Sequence, residues 1–222
     1  MFGDFQDLSF QLHNHLRDAG FSLRRGQVQQ LLAALLGYNS LAALQASQEE
    51  QPGIAGADHV VANAALLTQR SLELGTSEDE AHTLCDLTIA GLELIGQRQL
   101  EVHTSEDEFV ESVLIPFVER DVTNDGAVSS EMAMTNAYVN HIYVEADNPE
   151  RLAGGGSDTW SVGIAGTVYM DSDPEKPFWG DRVRFEGDVS YWRVGRMCLA
   201  GKGRLELAAK KGSAYEEDYE QV

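Results

Sequence analysis

Few residues of this chain are spaced for chemistry. His141 and Glu145 stand four apart in "AYVNHIYVEA", where apolar and polar residues alternate; on a strand both fall on one face, an imidazole and a carboxylate that could act as paired metal ligands. Further on, "FWGDRVRFEGDVSYWRVGR" interleaves Trp179, Phe185, Tyr191 and Trp192 with Arg182, Arg184, Arg193 and Arg196. On a sheet such a composition stacks bases and contacts phosphates, which makes Arg182, Arg184, Trp192 and Arg193 candidate nucleic-acid contacts. The competing reading is structural, because Phe185 and Tyr191 also belong to the alternating apolar set of a core-facing strand and the arginines can neutralise the protein's own acids. A third group is acidic. "SEDEAH" and "TSEDEF" hold Glu78, Asp79, Glu80, Glu106, Asp107 and Glu108 at helix starts, where carboxylates complement the helix dipole. The same six side chains are the candidates for docking a basic protein.

Other spacings lack a needed part. "DVTNDGAVSSEM" supplies Asp121, Asp125 and the turn residue Gly126 of a calcium loop, but Met132 stands where the bidentate acid is required and Thr123 replaces a ligand. An ordinary helix-ending turn is the expectation there. His13 and His15 point to different faces of a helix, while His59, His82 and His103 are isolated from one another along the chain. No GxSxG, phosphate loop, HExxH or paired-cysteine spacing is present, so no cofactor is expected and an enzyme is not the favoured class.

Charge bears on partners. The 222 residues carry 16 basic and 36 acidic side chains, a formal net charge of -20 that repels phosphate backbones and anionic membranes and favours basic partners. It is unevenly spread: residues 1–175 hold 7 basic and 28 acidic side chains, residues 176–211 hold 9 and 4, and the remainder 0 and 4. The expected partner is therefore a basic protein, and direct nucleic-acid binding is disfavoured except through the one positive island. No apolar run approaches the ~20 residues of a membrane span, and "MFGDFQDLSFQLHNHLRD" lacks the basic start and apolar stretch of a secretory signal. Cys85 and Cys198 lie far apart without metal spacing and read as buried thiols of a reducing compartment, so a cytoplasmic location is expected.

These side chains must be positioned by two kinds of element. Phe5, Leu8, Leu12, Leu16 and Ala19 recur at helical spacing, Val28, Leu31, Leu32, Leu35 and Leu36 share a second helical face, and Gly37 ends it before a short third helix bearing Leu41 and Leu44. The uncharged "LLAALLGYNSLAAL" is thus two helix halves around a glycine stop, and burying its stripe in a core is the expectation. Residues 59–74 read as a helix, Ser77 with Glu80 opens another, and Pro116 should kink or stop a third. From about Tyr138 the period changes to two, through Ile142 and Val144, Trp160 to Met170, Val183 to Tyr191, and Leu205 with Leu207. The fold class predicted is α+β: a helical N-terminal half followed by an antiparallel β-meander of four or five strands. Its organisation is predicted as a three-helix module (1–47), a linker (48–58), a helical region (59–135), an antiparallel β region (136–211) and an acidic tail (212–222).

"LRRGQVQQLLAALLGYNSLAAL" resembles the small helical module near the N-termini of bacterial, often mobile-element, proteins of glyoxalase-related type. Leu23, Gln27, Leu35, Leu36, Gly37, Tyr38 and Leu44 match; Arg24 stands in place of a capping Ser and Leu41 in place of an aromatic residue. The resemblance covers about a fifth of the chain, implies a bacterial helical module, and transfers no catalytic residue. A glyoxalase-type enzyme would need repeated βαβββ modules with His and Glu ligands, and the strand-rich part is too short for two.

Together these readings favour an acidic bacterial or mobile-element protein that works by protein-protein binding, with an accessory or inhibitory role toward a basic nucleic-acid-binding defence complex through charge mimicry as its sharpest form. Two alternatives stay open: a glyoxalase-related metal-dependent small-molecule enzyme using His141 and Glu145, and single-strand binding through the basic β region. The sequence does not fix an oligomeric state.

Overall fold

Amphipathic stripes at a period of 3.6 residues build the first helices of the protein, seen in a computed structural model that describes residues 5–47, 52–96, 100–135, 137–147, 152, 157–172 and 182–212. The helices are α1 (Phe5–Asp18), α2 (Arg25–Leu35), α3 (Leu41–Ser47), α4 (Ala64–Glu73), α5 (Glu78–Ile95), α6 (Glu106–Phe109), α7 (Ile115–Asp121) and α8 (Gly126–Ala133). The strands are β1 (His59–Val61), β2 (Glu101–His103), β3 (Ala137–Ala146), β4 (Thr159–Ser172), β5 (Arg182–Gly195) and β6 (Cys198–Gly212). Their order in the sheet is β2-β1-β6-β5-β4-β3.

The chain is α+β, with helices gathered in its first half. The strand count departs from the expected four or five, since there are six among the described residues, and the sheet is mixed because β1 and β2 pair in parallel. The reason is length. "HVV" and "EVH" are three-residue strands, too short to display a period of two, and β1 occupies the start of the segment read as one helix from His59; that helix, α4, begins only at Ala64. Of the expected linker, Gly53–Gly56 is a single 3₁₀ turn and Asp58 leads into β1, while residues 48–51 lie outside the described residues, as do Trp179 and the acidic end beyond Gly212.

Two compact units divide the chain: Met1–Phe109 with Arg151–Trp160 and Tyr191–Lys202, and Val110–Glu150 with Ser161–Ser190 and Gly203–Val222. In the first, α1 packs on α5 and α2, and α4 on α2 and α5. The uncharged leucine stretch is core: Leu31, Leu32, Leu35, Leu36, Tyr38 and Leu44 are buried together with Leu8, Leu12 and Leu16. Helix α2 keeps the half of a capping box that an arginine allows, Gln27 Oε1 accepting from the Arg24 backbone N–H at 2.7 Å. Gly37 ends this region with φ 79°, and a Cβ there would lie 2.8 Å from Met197 Cγ, so both conformation and space require glycine. In the second unit α7 packs against β3. Strands β3 and β4 pair antiparallel, with Tyr143 opposite Thr167 and Glu145 opposite Ala165, and Val144, Ile164, Val168 and Phe185 are buried.

Candidate metal centre

Strand pairing in the first unit converts two distant sequence fragments into one site. β1 lies between β2 and β6, and its register is fixed by backbone bonds: Asp58 N–H to Leu199 O at 3.0 Å, Glu101 N–H to Asp58 O at 2.9 Å, and Ala62 N–H to His103 O at 2.7 Å. The Asp58 carboxylate also accepts from Gly201 N–H at 2.6 Å. Parallel pairing sets His59 beside Glu101, and His103 follows Glu101 by two residues on the same face. Three potential ligands thereby meet.

Helix α6 holds His103 from its other side. Glu108 accepts from the Thr104 N–H at 2.6 Å and donates its own N–H to Ser105 Oγ at 3.0 Å, which caps the helix two residues after the histidine. The Thr104 hydrogen bonds lower the Glu108 pKa.

His59 Nδ1 lies 3.3 Å from His103 Nε2 and 3.3 Å from Glu101 Oε2. All three ligand atoms fall within 4.8 Å of one another. Two nitrogens each 2.0–2.1 Å from a tetrahedral zinc ion lie about 3.3 Å apart, so the imidazoles already stand at the separation of ligands sharing one ion. Burial lowers the His59 pKa, against the opposing pull of Glu101 and Asp58. It lowers the His103 pKa as well, aided by His59 and opposed by Glu101 and Glu108. Both imidazoles are therefore held neutral at pH 7, the form that ligates metals, and the His59–Glu101 contact is not an ion pair there.

Behind the histidines the surroundings are aromatic and buried. Phe109 is fully buried, with its ring centroid 5.2 Å from His59 and 5.1 Å from His103, both edge-on. Tyr191 and Trp160 continue this layer at 5.2 and 5.6 Å from Phe109. Glu101, its side chain 63% exposed, marks the solvent side. Two neutral nitrogens and one carboxylate suit a divalent transition metal and leave a position open to water or a small ligand.

Of the residues singled out from sequence, Glu108 lies beside this centre through its bond to Thr104, and the others lie elsewhere. His141 and Glu145 are both on β3, where four strand residues span about 13 Å from Cα to Cα. His141 stacks on Tyr169, with centroids 4.4 Å apart, and Glu145 accepts from the Tyr143 hydroxyl at 2.6 Å. Glu78, Asp79 and Glu80 form the exposed first turn of α5, where Glu80 closes a capping box with Ser77; the Ser77 hydrogen bonds lower its pKa. Glu106, Asp107 and Glu108 open α6, and Glu106 accepts from the Leu152 N–H at 2.9 Å.

The basic island divides between surface and interior. Arg182 and Arg193 are buried, the latter donating to Leu152 O at 2.5 Å, whereas Arg184 and Trp192 are exposed. Arg182 and Arg184 belong to the second unit, Trp192 and Arg193 to the first. In the loop that resembles a calcium loop in sequence, Asp125 caps α8 through its bond to Ala127 N–H at 2.8 Å, and Asp121 pairs with Arg120 at 2.7 Å.

His59, Glu101 and His103 are not joined by any spacing visible in the sequence, since the two histidines lie 44 residues apart. The only local signal was the E-x-H of β2, which places two ligand types on one strand face. No family model matches the chain, and no curated protein or solved structure matches it either.

Proposed function

We propose that the protein binds one divalent transition-metal ion through His59, His103 and Glu101 and uses it as a metal-dependent centre open to a small polar ligand. The observation that carries this reading is the convergence of two imidazole nitrogens and a carboxylate oxygen, with separations of 3.3 Å and both histidines held neutral by burial. Three protein donors with a vacant position are the pattern of catalytic rather than closed structural sites. A bound metal would supply Lewis acidity there and acidify its water. The chain's own contribution is the fixed spacing, the buried aromatic backing of Phe109 and the solvent-side Glu101. This keeps the class that the glyoxalase-like resemblance implies, a metal-dependent small-molecule enzyme, with different ligands from the His141 and Glu145 expected at first.

Zinc, cobalt and iron(II) are the ions to test by titration calorimetry on chelator-treated protein. One equivalent bound by the wild type and lost in His59→Ala and His103→Ala supports the reading. Absence of saturable binding, or binding that survives both replacements, ends it.

A second reading is favoured by the net charge of -20 and the exposure of Glu78, Asp79, Asp107 and Glu108: docking of a basic nucleic-acid-handling protein of bacterial or mobile-element context by charge mimicry. Competition with nucleic acid for one captured partner, weakened by salt and by Glu78→Lys with Asp79→Lys, is its test. Binding undiminished at high salt counts against it.

A further inference from the structure

A trough of about 480 Å³ lies on the exposed sheet face of the second unit, where β3, β4, β5 and β6 each contribute. Its floor is low because the central positions are small: Ala165, Thr167 and Ala208 project from it. Beneath them, Gly166 admits no side chain, since a Cβ would come within 2.3 Å of both the Phe185 ring and Tyr143 O. One wall is the ring of Tyr143, half exposed and fixed by its hydroxyl bond to Glu145. Another part of the lining is cationic: Arg184, Lys210 and Lys211.

That concentration of charge runs against the rest of the molecule. The chain has only four lysines and a net charge of -20, yet two of the four line this one trough beside an arginine. Glu145 and Glu186 also line it, which leaves a local excess of one positive charge in a strongly negative protein. A bare anion gains little there against the repulsion of the whole chain. An anion with an apolar body gains more, because its body covers the alanine floor and the Tyr143 ring while its head meets the cations. The volume is in the range of small-molecule sites.

We infer that this trough binds an organic anion, a carboxylate or phosphate ester on a flat apolar body, at a site independent of the metal centre. The head group sits toward Arg184 and Lys210, and the body lies along Tyr143 and Ala208.

Titration of the full-length protein with 8-anilinonaphthalene-1-sulfonate, a flat apolar anion, reads this by fluorescence. The expectation is saturable binding of one equivalent. Arg184→Gln combined with Lys210→Gln should weaken it about tenfold or more, the scale of lost charge-assisted hydrogen bonds. Ala208→Trp, on the exposed face, should fill the trough and abolish it, while Lys202→Gln, outside the lining, should leave it unchanged. Unaltered near-UV dichroism confirms that each variant is folded. Displacement by benzoate assigns a carboxylate head, and displacement by phenyl phosphate a phosphate ester. No saturable binding, equal affinity in wild type and both trough variants, or displacement by neither competitor overturns the proposal.

Discussion

Two strand regions of this protein carry the same donor types, imidazole and carboxylate, and arrange them differently. In β3, His141 and Glu145 share one strand at a four-residue interval; in β1 and β2, His59, Glu101 and His103 share a face across two strands. Along a strand, side chains of one face recur about every 6.6 Å, whereas across a strand pair they stand about 4.8 Å apart. Nitrogen donors of one tetrahedral zinc ion stand about 3.3 Å apart, so a cross-strand neighbour is far easier to recruit than a residue four positions along. Burial separates the regions further. His103 is 6% exposed and backed by Phe109, while His141 lies on the open face of an edge strand, stacked on Tyr169.

The sharpest way to break this comparison is to remove one histidine from each region. His103→Ala should reduce metal affinity by more than about a hundredfold, exceeding the loss usual for an outer-shell partner. His141→Ala should leave it unchanged. Calorimetric titration of both variants with zinc decides the matter, and equal losses would show that the contrast between the regions has no functional meaning.

The same contrast explains what the sequence could show. Helices α1, α2 and α5 were legible because stripes such as Leu8, Leu12 and Leu16 repeat over several turns, and the Ser77–Glu80 capping box marks a start. The long strands β4 and β5 were legible through their period of two. The candidate centre was not, since its two strands have three residues each and their pairing is set by backbone bonds between segments about forty residues apart. His141 and Glu145 drew attention because local alternation is visible in sequence, whereas parallel register is a tertiary property. Arg193 and Arg182 looked like surface cations for a related reason: charge suggests exposure, but their burial depends on where neighbouring segments pass, as the Leu152 carbonyl does for Arg193.

A smaller effect is expected from the carboxylates. Glu101→Gln keeps the size and strand position of the side chain but removes the anionic ligand, and its 63% exposure lets water take the vacated position. Metal affinity should fall by about tenfold, less than for either histidine, since a neutral amide oxygen and water still compensate in part. Glu145→Gln on β3 should have no effect on metal binding, although it exchanges the carboxylate that accepts from the Tyr143 hydroxyl for an amide. Parallel metal titrations of the two variants sharpen the comparison to a single functional group.

The smallest expected effect is on the pH dependence of stability in the metal-free protein. His59 and His103 have pKa values lowered from 6.5 chiefly by burial, so the unfolded chain binds protons more readily than the folded one. Stability from keeping both neutral is fully present above pH 6.5, is lost as the pH falls through the lowered folded values, and levels off below them. Asp58, Glu101 and Glu108 moderate the loss, because each favours a protonated neighbour. Thermal melting of chelator-treated protein at successive pH values below neutrality should therefore show a falling midpoint. Replacing His103 by Phe, which cannot take up a proton, should flatten that fall, whereas His141→Phe should leave its slope unchanged. An equal slope in wild type and His103→Phe would mean that carboxylates elsewhere govern the acid response, and that the buried imidazoles are not held neutral as their surroundings require.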